Sequence, residues 1–223
     1  MIEKEARLYA TMPEYKALVN KTKNFTRWAL TKSINPYIAC SFGKDSSVML
    51  HLVLQEYKDI PVVFAYAEET FIIDSYSTVI DWWLLNFNIN LHKIYCERES
   101  ILDRTFSSQK IKDFGEYSFV GIREDESKAR RMSLKYHGTF HRDKKDKVRI
   151  SPISRWTLKD IEAYTITNDL PLLETYKYFG FDARTTSAIP SVGRERMLQQ
   201  LRIRDINAFN QILQLMPDAR KFI

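Results

Sequence analysis

The 223-residue chain is long enough for one α/β domain with a helical appendage, and its 44% hydrophobic content suffices for a single core. Lys and Arg number 34 against 28 Asp and Glu, a net charge of +6 that favours anionic partners without choosing between nucleotide and nucleic acid. Only two cysteines, Cys40 and Cys96, are present, no signal segment opens the chain and no apolar run reaches spanning length; these exclude a disulfide framework and a Cys-x-x-Cys pair and give the expectation of a soluble, cytoplasmic protein away from membranes.

Residues 2–34 mix basic, polar and apolar groups at helical spacing, which predicts two helices outside the sheet, interrupted at Pro13 and Asn24. Tyr37-Ile38-Ala39-Cys40 is a buried strand by length and apolarity, and Ser41-Phe42-Gly43-Lys44-Asp45-Ser46-Ser47 then leads directly into an apolar-periodic helix. Three hydroxyls, a turn-forming Gly43, the Lys44 charge and the unpaired N–H groups of a helix start together make an anion cradle, although the same residues also read as a plain helix cap. A Walker A loop is excluded, because Ile38 stands where its first Gly belongs and Asp45 where its Ser or Thr belongs.

The helix ends before Pro61, and Val62-Val63-Phe64-Ala65-Tyr66 is a second strand, so the span is a βαβ unit with parallel strands. Glu68 and Glu69 fall where that strand ends, on the edge that carries the cradle; acids there suit Mg²⁺, a ribose, or simple solvation. An aromatic helix follows over 74–87, with Trp82 and Trp83 read as core, and a third strand over 90–95 ends at Cys96. Tyr117-Ser118-Phe119-Val120 is a fourth strand, after which Gly121-Ile122-Arg123 opens an acid-rich, then basic, helical stretch that places Ser127 and Arg130 on one face with Arg123. Residues 135–149 read as a basic loop, and His137 and His141 have metal-pair spacing but no third ligand. A short fifth strand, in the run Val148-Arg149-Ile150-Ser151-Pro152-Ile153, precedes Trp156 and a helix capped near Thr157; a polar loop over 180–191 and two tail helices, 192–203 and 206–216, complete the chain.

The loop Ser41-Phe42-Gly43-Lys44-Asp45-Ser46 resembles the Ser-x-Gly-Lys-Asp-Ser loop of the adenine-nucleotide α-hydrolase-like, or pyrophosphate-loop, superfamily. Gly121-Ile122-Arg123-Glu124-Asp125-Glu126-Ser127 with Arg130, and Pro152 with Trp156-Thr157 and Asp160-Ile161, resemble further hallmarks of its phosphoadenosine phosphosulfate (PAPS) reductase and ATP sulfurylase small-subunit group. The resemblance implies a five-stranded, mainly parallel sheet with helices on both faces and a helical C-terminal tail. It divides the chain into an N-terminal helical appendage (1–34), a nucleotide-binding domain (35–176) and a tail (177–223). It implies ATP or PAPS as ligand, held by Ser41, Gly43, Lys44, Asp45, Ser46, Ser47, Glu69, Gly121, Arg123, Ser127 and Arg130, with Lys44, Asp45 and Arg123 carrying the chemistry at the α-phosphate. With ATP it implies Mg²⁺, Asp45 being its candidate ligand, and pyrophosphate release; zinc and iron–sulfur clusters are not expected. Where the family often has Asp-Thr-Gly this chain has Glu68-Glu69-Thr70, and residues 182–190, where reductases carry a Glu-Cys-Gly segment, contain no Cys. Sulfur-metabolism chemistry of the reductase type, a binding subunit needing a protein partner or a second copy, and a nucleic-acid-modifying role for the basic loop remain the alternatives.

Overall fold

Strand positions follow the apolar runs closely. The computed structural model describes residues 3–97, 111, 114–143, 146–185, 188–189 and 193–223. Its strands are β1 (Tyr37–Ala39), β2 (Val62–Tyr66), β3 (Leu91–Tyr95), β4 (Tyr117–Val120), β5 (Phe140–Arg142) and β6 (Val148–Ile150), ordered β3-β2-β1-β4-β6-β5. All neighbouring pairs are parallel except β5 with β6. The five expected strands are therefore the parallel ones, and the expected count of five is corrected to a 6-stranded sheet by the antiparallel edge strand β5. Successive residues of a strand face opposite sides, so complete burial of Val62, Val63 and Phe64 in a row means that both faces of the sheet are covered.

The helices are α1 (Glu3–Ala10), α2 (Pro13–Lys32), α3 (Lys44–Leu54), α4 (Thr70–Ile73), α5 (Tyr76–Phe87), α6 (Lys128–His137), α7 (Leu158–Thr167), α8 (Glu174–Phe179), α9 (Arg194–Arg204) and α10 (Ile206–Leu215). Pro13 opens α2 at its first turn, where a missing N–H costs nothing, but Asn24 does not interrupt it. Buried Tyr15 and Ala29 bring α2 into the same core as the strands. The stretch 135–149 is not a plain loop: α6 runs to His137, and Phe140, His141 and Arg142 pair with Ile150, Arg149 and Val148. Residues 144–145 of that stretch, and 186–187 and 190–192 of the expected polar loop and helix start, lie outside the described residues.

The tail is tied to the end of α4 and to α8 by a buried polar knot. Arg204 Nη1 lies 3.3 Å from Asp74 Oδ2 and donates to Thr175 Oγ1 at 2.5 Å, and Thr175 Oγ1 donates to Asp74 Oδ2 at 2.5 Å. Parallel strands place their carboxyl ends on one edge, so the segments after β1, β2, β4 and β6 meet there.

Candidate functional site

At that edge Gly43 is the N-cap of α3, with Lys44, Asp45 and Ser46 in the helix's first turn. The preceding Phe42 sits at φ +53, a left-handed conformation that costs a residue with a side chain about 1–3 kcal/mol. Its ring offsets this by packing edge-on against Phe64 at 5.2 Å, 1% exposed. Ser41 Oγ and Ser46 Oγ are 3.2 Å apart, and Ser46 Oγ donates to Gly43 O at 3.0 Å. Ser47 Oγ is buried without a hydrogen-bond partner, and among the described residues the N–H groups of Asp45 and Ser46 donate to no protein group. The loop thus holds a set of inward donors at the positive end of a helix dipole.

Arg123 arrives from the end of β4. Its Nε donates to Asp45 Oδ1 at 2.6 Å, and its Nη1 donates to Asp125 Oδ2 at 3.3 Å and Trp156 O at 3.2 Å. Only 3% exposed, the guanidinium keeps Nη2 outside these bonds, so two N–H donors remain for a ligand. Gly121 makes the approach possible: a Cβ there would lie 2.8 Å from Ser46 Cα and Ser46 N. Gly121, expected among the ligand contacts, is placed as the residue that lets β4 pass directly over the first turn of α3.

Lys44 is 5% exposed, and its Nζ donates to Ala183 O at 2.9 Å and lies 3.7 Å from Asp45 Oδ2. Burial pulls the ammonium below the usual lysine range, with Asp45 opposing the shift. Both Asp45 oxygens face cations of the protein itself, Lys44 and Arg123.

A cover over the loop was not foreseen from sequence. Tyr176, in α8, accepts a hydrogen bond from Lys44 N–H at 3.1 Å and shares one of 2.8 Å with Thr185 Oγ1. Lys44 Nζ stands 5.0 Å from the Tyr176 ring centroid and 5.9 Å from that of Phe181. Thr185 Oγ1 would be 3.0 Å from a Cβ at Gly43, so the segment lies directly on the loop, leaving Ser41 exposed.

The other expected residues fall further out. Arg123 precedes a 3-10 turn, Glu124–Glu126, and α6 starts only at Lys128, so the predicted common helix face of Arg123, Ser127 and Arg130 does not form. Ser127 caps α6 by accepting from Arg130 N–H at 3.2 Å, and the half-exposed Arg130 guanidinium pairs with Glu126. Glu69 is fully buried at the N-cap of α4, on the same edge. Arg184 donates to Glu126 O, whereas Arg194 stacks on Phe222 at 4.6 Å. His137 and His141 stack at 5.2 Å, with His141 Nδ1 3.1 Å from Gly138 O. No helix among the described residues is long and apolar enough to cross a membrane.

Comparison with known proteins gives the family and the fold. A curated PAPS reductase from Synechococcus sp. is 28% identical over 166 residues, covering 65% of this chain and 71% of that protein. A sulfate adenylyltransferase subunit 2 from Rhizobium tropici is 25% identical over 203 residues, covering 74% of this chain and 64% of its own length. Among solved structures, a PAPS reductase from Candida auris in a phosphate complex aligns over 79% of this chain and 95% of its own, with TM-score 0.54 at 15% identity. The U34-tRNA thiolase NcsA from Methanococcus maripaludis, with its [4Fe-4S] cluster, aligns over 93% of this chain and 80% of its own, with TM-score 0.50 at 15% identity. That cluster corrects the expectation that no iron–sulfur cluster goes with such a chain, since a protein of this fold carries one. Clusters follow the placement of their ligands, about which phosphate-binding motifs are silent. The model of the phosphoadenosine phosphosulfate reductase domain matches residues 35–183, the stretch containing the loop, Arg123 and most of the cover, and this chain belongs to that family.

Proposed function

We infer that the chain binds an adenine nucleotide across the carboxyl edge of the sheet and acts at its α-phosphate. The observation that carries this reading is the Asp45–Arg123 contact of 2.6 Å, which joins residues from two separate strand ends into one donor-rich cluster. Residues 41–47 hold the outer phosphates through the free N–H groups of α3 and the loop hydroxyls, and Lys44 exchanges Ala183 O for a phosphate oxygen. Arg123 meets the α-phosphate through Nη2, and its bonds to Asp45, Asp125 and Trp156 O fix its orientation in advance. With ATP, an acceptor atom bonds to the α-phosphorus, the bond from that phosphorus to the bridging oxygen breaks, and pyrophosphate leaves. Entry of the nucleotide requires Tyr176, Ala183 and Thr185 to move off the loop.

PAPS suits the same grip, and the Synechococcus relative supports it as the alternative ligand. Reductase chemistry needs a thiolate, and burial pushes the Cys40 thiol up to about 12 while Cys96 is also buried, which favours transfer at phosphorus. The test is product analysis with each nucleotide. ATP is expected to give pyrophosphate, at a rate about a hundredfold lower in Lys44→Ala and Arg123→Ala. ADP release, or sulfite from PAPS with thioredoxin, would replace this reading. Tight ATP binding without turnover would make the chain a binding subunit needing a partner chain, a state for which the Rhizobium relative, named as a subunit, is the precedent.

A further inference from the structure

A second cavity, of about 320 Å³, lies between α2 and the segment that follows β6. Its apolar lining with accessible surface is the half-buried Leu18 and Phe25, above the buried Pro152, Ser151, Ser154 and Trp156. Lys21 and Arg155 stand exposed at its mouth, and among the described residues neither makes an ion pair. Among the described residues no carboxylate lines it. Trp156 Nε1 donates to Thr22 Oγ1 at 2.8 Å, and that hydroxyl donates to Leu18 O at 2.9 Å, so the floor is locked between α2 and the segment.

The same segment forms the back wall of the cleft described above. Trp156 O accepts from Arg123 Nη1, and Ser154 O accepts from Glu124 N–H at 2.8 Å, while the Trp156 ring packs in the core against Tyr15 and Tyr164 with its Nε1 on Thr22. One peptide layer therefore separates the two spaces, and a molecule in the cavity does not touch the loop. An aromatic and aliphatic surface, Phe25 with Leu18, beneath two unpaired cations is complementary to one kind of molecule.

We propose that this cavity is a second binding site, for a small organic anion with a flat apolar body, its acidic group held by Lys21 and Arg155 and its body lying on Phe25 and Leu18. The site is independent of nucleotide binding at residues 41–47.

The probe is 1-anilinonaphthalene-8-sulfonate, with the uncharged N-phenyl-1-naphthylamine as its control, titrated by fluorescence. The sulfonate is expected to bind at one saturable site, with affinity about tenfold lower in K21E/R155E. The uncharged probe is expected to bind the parent protein more weakly and to be indifferent to the charge reversal. Location is read from the Trp156 indole N–H resonance, assigned with Trp156→Phe, which is expected to shift on titration. Lys44→Ala is expected to leave sulfonate binding unchanged, so a failed nucleotide assay does not affect this result. An affinity unchanged by K21E/R155E in a variant that melts like the parent, an unmoved Trp156 resonance, or displacement of the probe by ATP would overturn the proposal.

Discussion

Arg123 serves three acceptors and keeps two donors in reserve, which only a forked, planar cation can do. Lysine carries the same charge but cannot hold Asp45, Asp125 and Trp156 O together, so Arg123→Lys leaves buried acceptors short of donors. The expected cost is about 1.5–3 kcal/mol in urea unfolding, from lost charge-assisted bonds. Nucleotide affinity is expected to fall about tenfold by calorimetry, and an unchanged affinity would mean that Nη2 does not face the ligand. Arg123 was legible because a Gly at the end of a buried strand points to the sheet edge, whatever lies between. Ser127 and Arg130 were misplaced because the spacing argument assumes an unbroken helix, whereas the Glu124–Glu126 turn resets the phase before α6 begins. Tyr176 and Thr185 left no local signal, since their contact with Lys44 and Gly43 spans more than a hundred residues of sequence and no periodicity encodes it.

Between elements, the alignment of the end of β4 with the start of α3 depends on Gly121. A Cβ at this position meets helix backbone, not the flexible tip of a side chain, so the neighbour can yield only by moving α3 or the strand end. Gly121→Ala is expected to destabilise the protein by about 1–3 kcal/mol and to weaken nucleotide binding by drawing Arg123 away from Asp45. Gly138→Ala is the control: its φ of +83 makes the substitution strained, but nothing lies within 4 Å of the added Cβ, so stability falls and nucleotide affinity stays. Equal loss of affinity in both variants, measured by calorimetry, would show that contact with α3 is not what matters. The inner parallel strands were legible as apolar runs because both of their faces are buried, with β2 the clearest case, whereas β3 at the edge is half-exposed. β5 was not, because an edge strand of three residues, Phe140-His141-Arg142, carries the polar and charged composition of a loop.

Across the whole molecule one apolar cluster joins Tyr15 of α2, the strands, and Phe209 and Ile212 of α10, so the stability of the cleft is that of the entire core. His51 is the titratable group most exposed to that coupling. It sits in α3, with its ring 5.2 Å from Phe87, 5.6 Å from Tyr164 and 6.3 Å from Trp83, and its Nδ1 is 3.1 Å from the Tyr164 hydroxyl. Burial, helped by the positive charge of Lys23, lowers it from 6.5 to about 4. The unfolded chain therefore takes up a proton near 6.5 that the folded protein refuses until about 4, and stability rises with pH across that window. Above 6.5 both states are neutral at this position and the contribution is complete; as pH falls towards 4 it is lost, by about 3 kcal/mol in all. Carboxylates titrate in the same range, so the measurement is the difference between the parent and His51→Leu in urea midpoints at pH 7 and pH 4. The variant pays a constant penalty for the stranded Tyr164 hydroxyl, but its stability is expected to fall by about 3 kcal/mol less than the parent's over that interval. Parallel pH profiles for the two proteins would show that His51 is protonated in the folded state and that the core around α3 admits the charge.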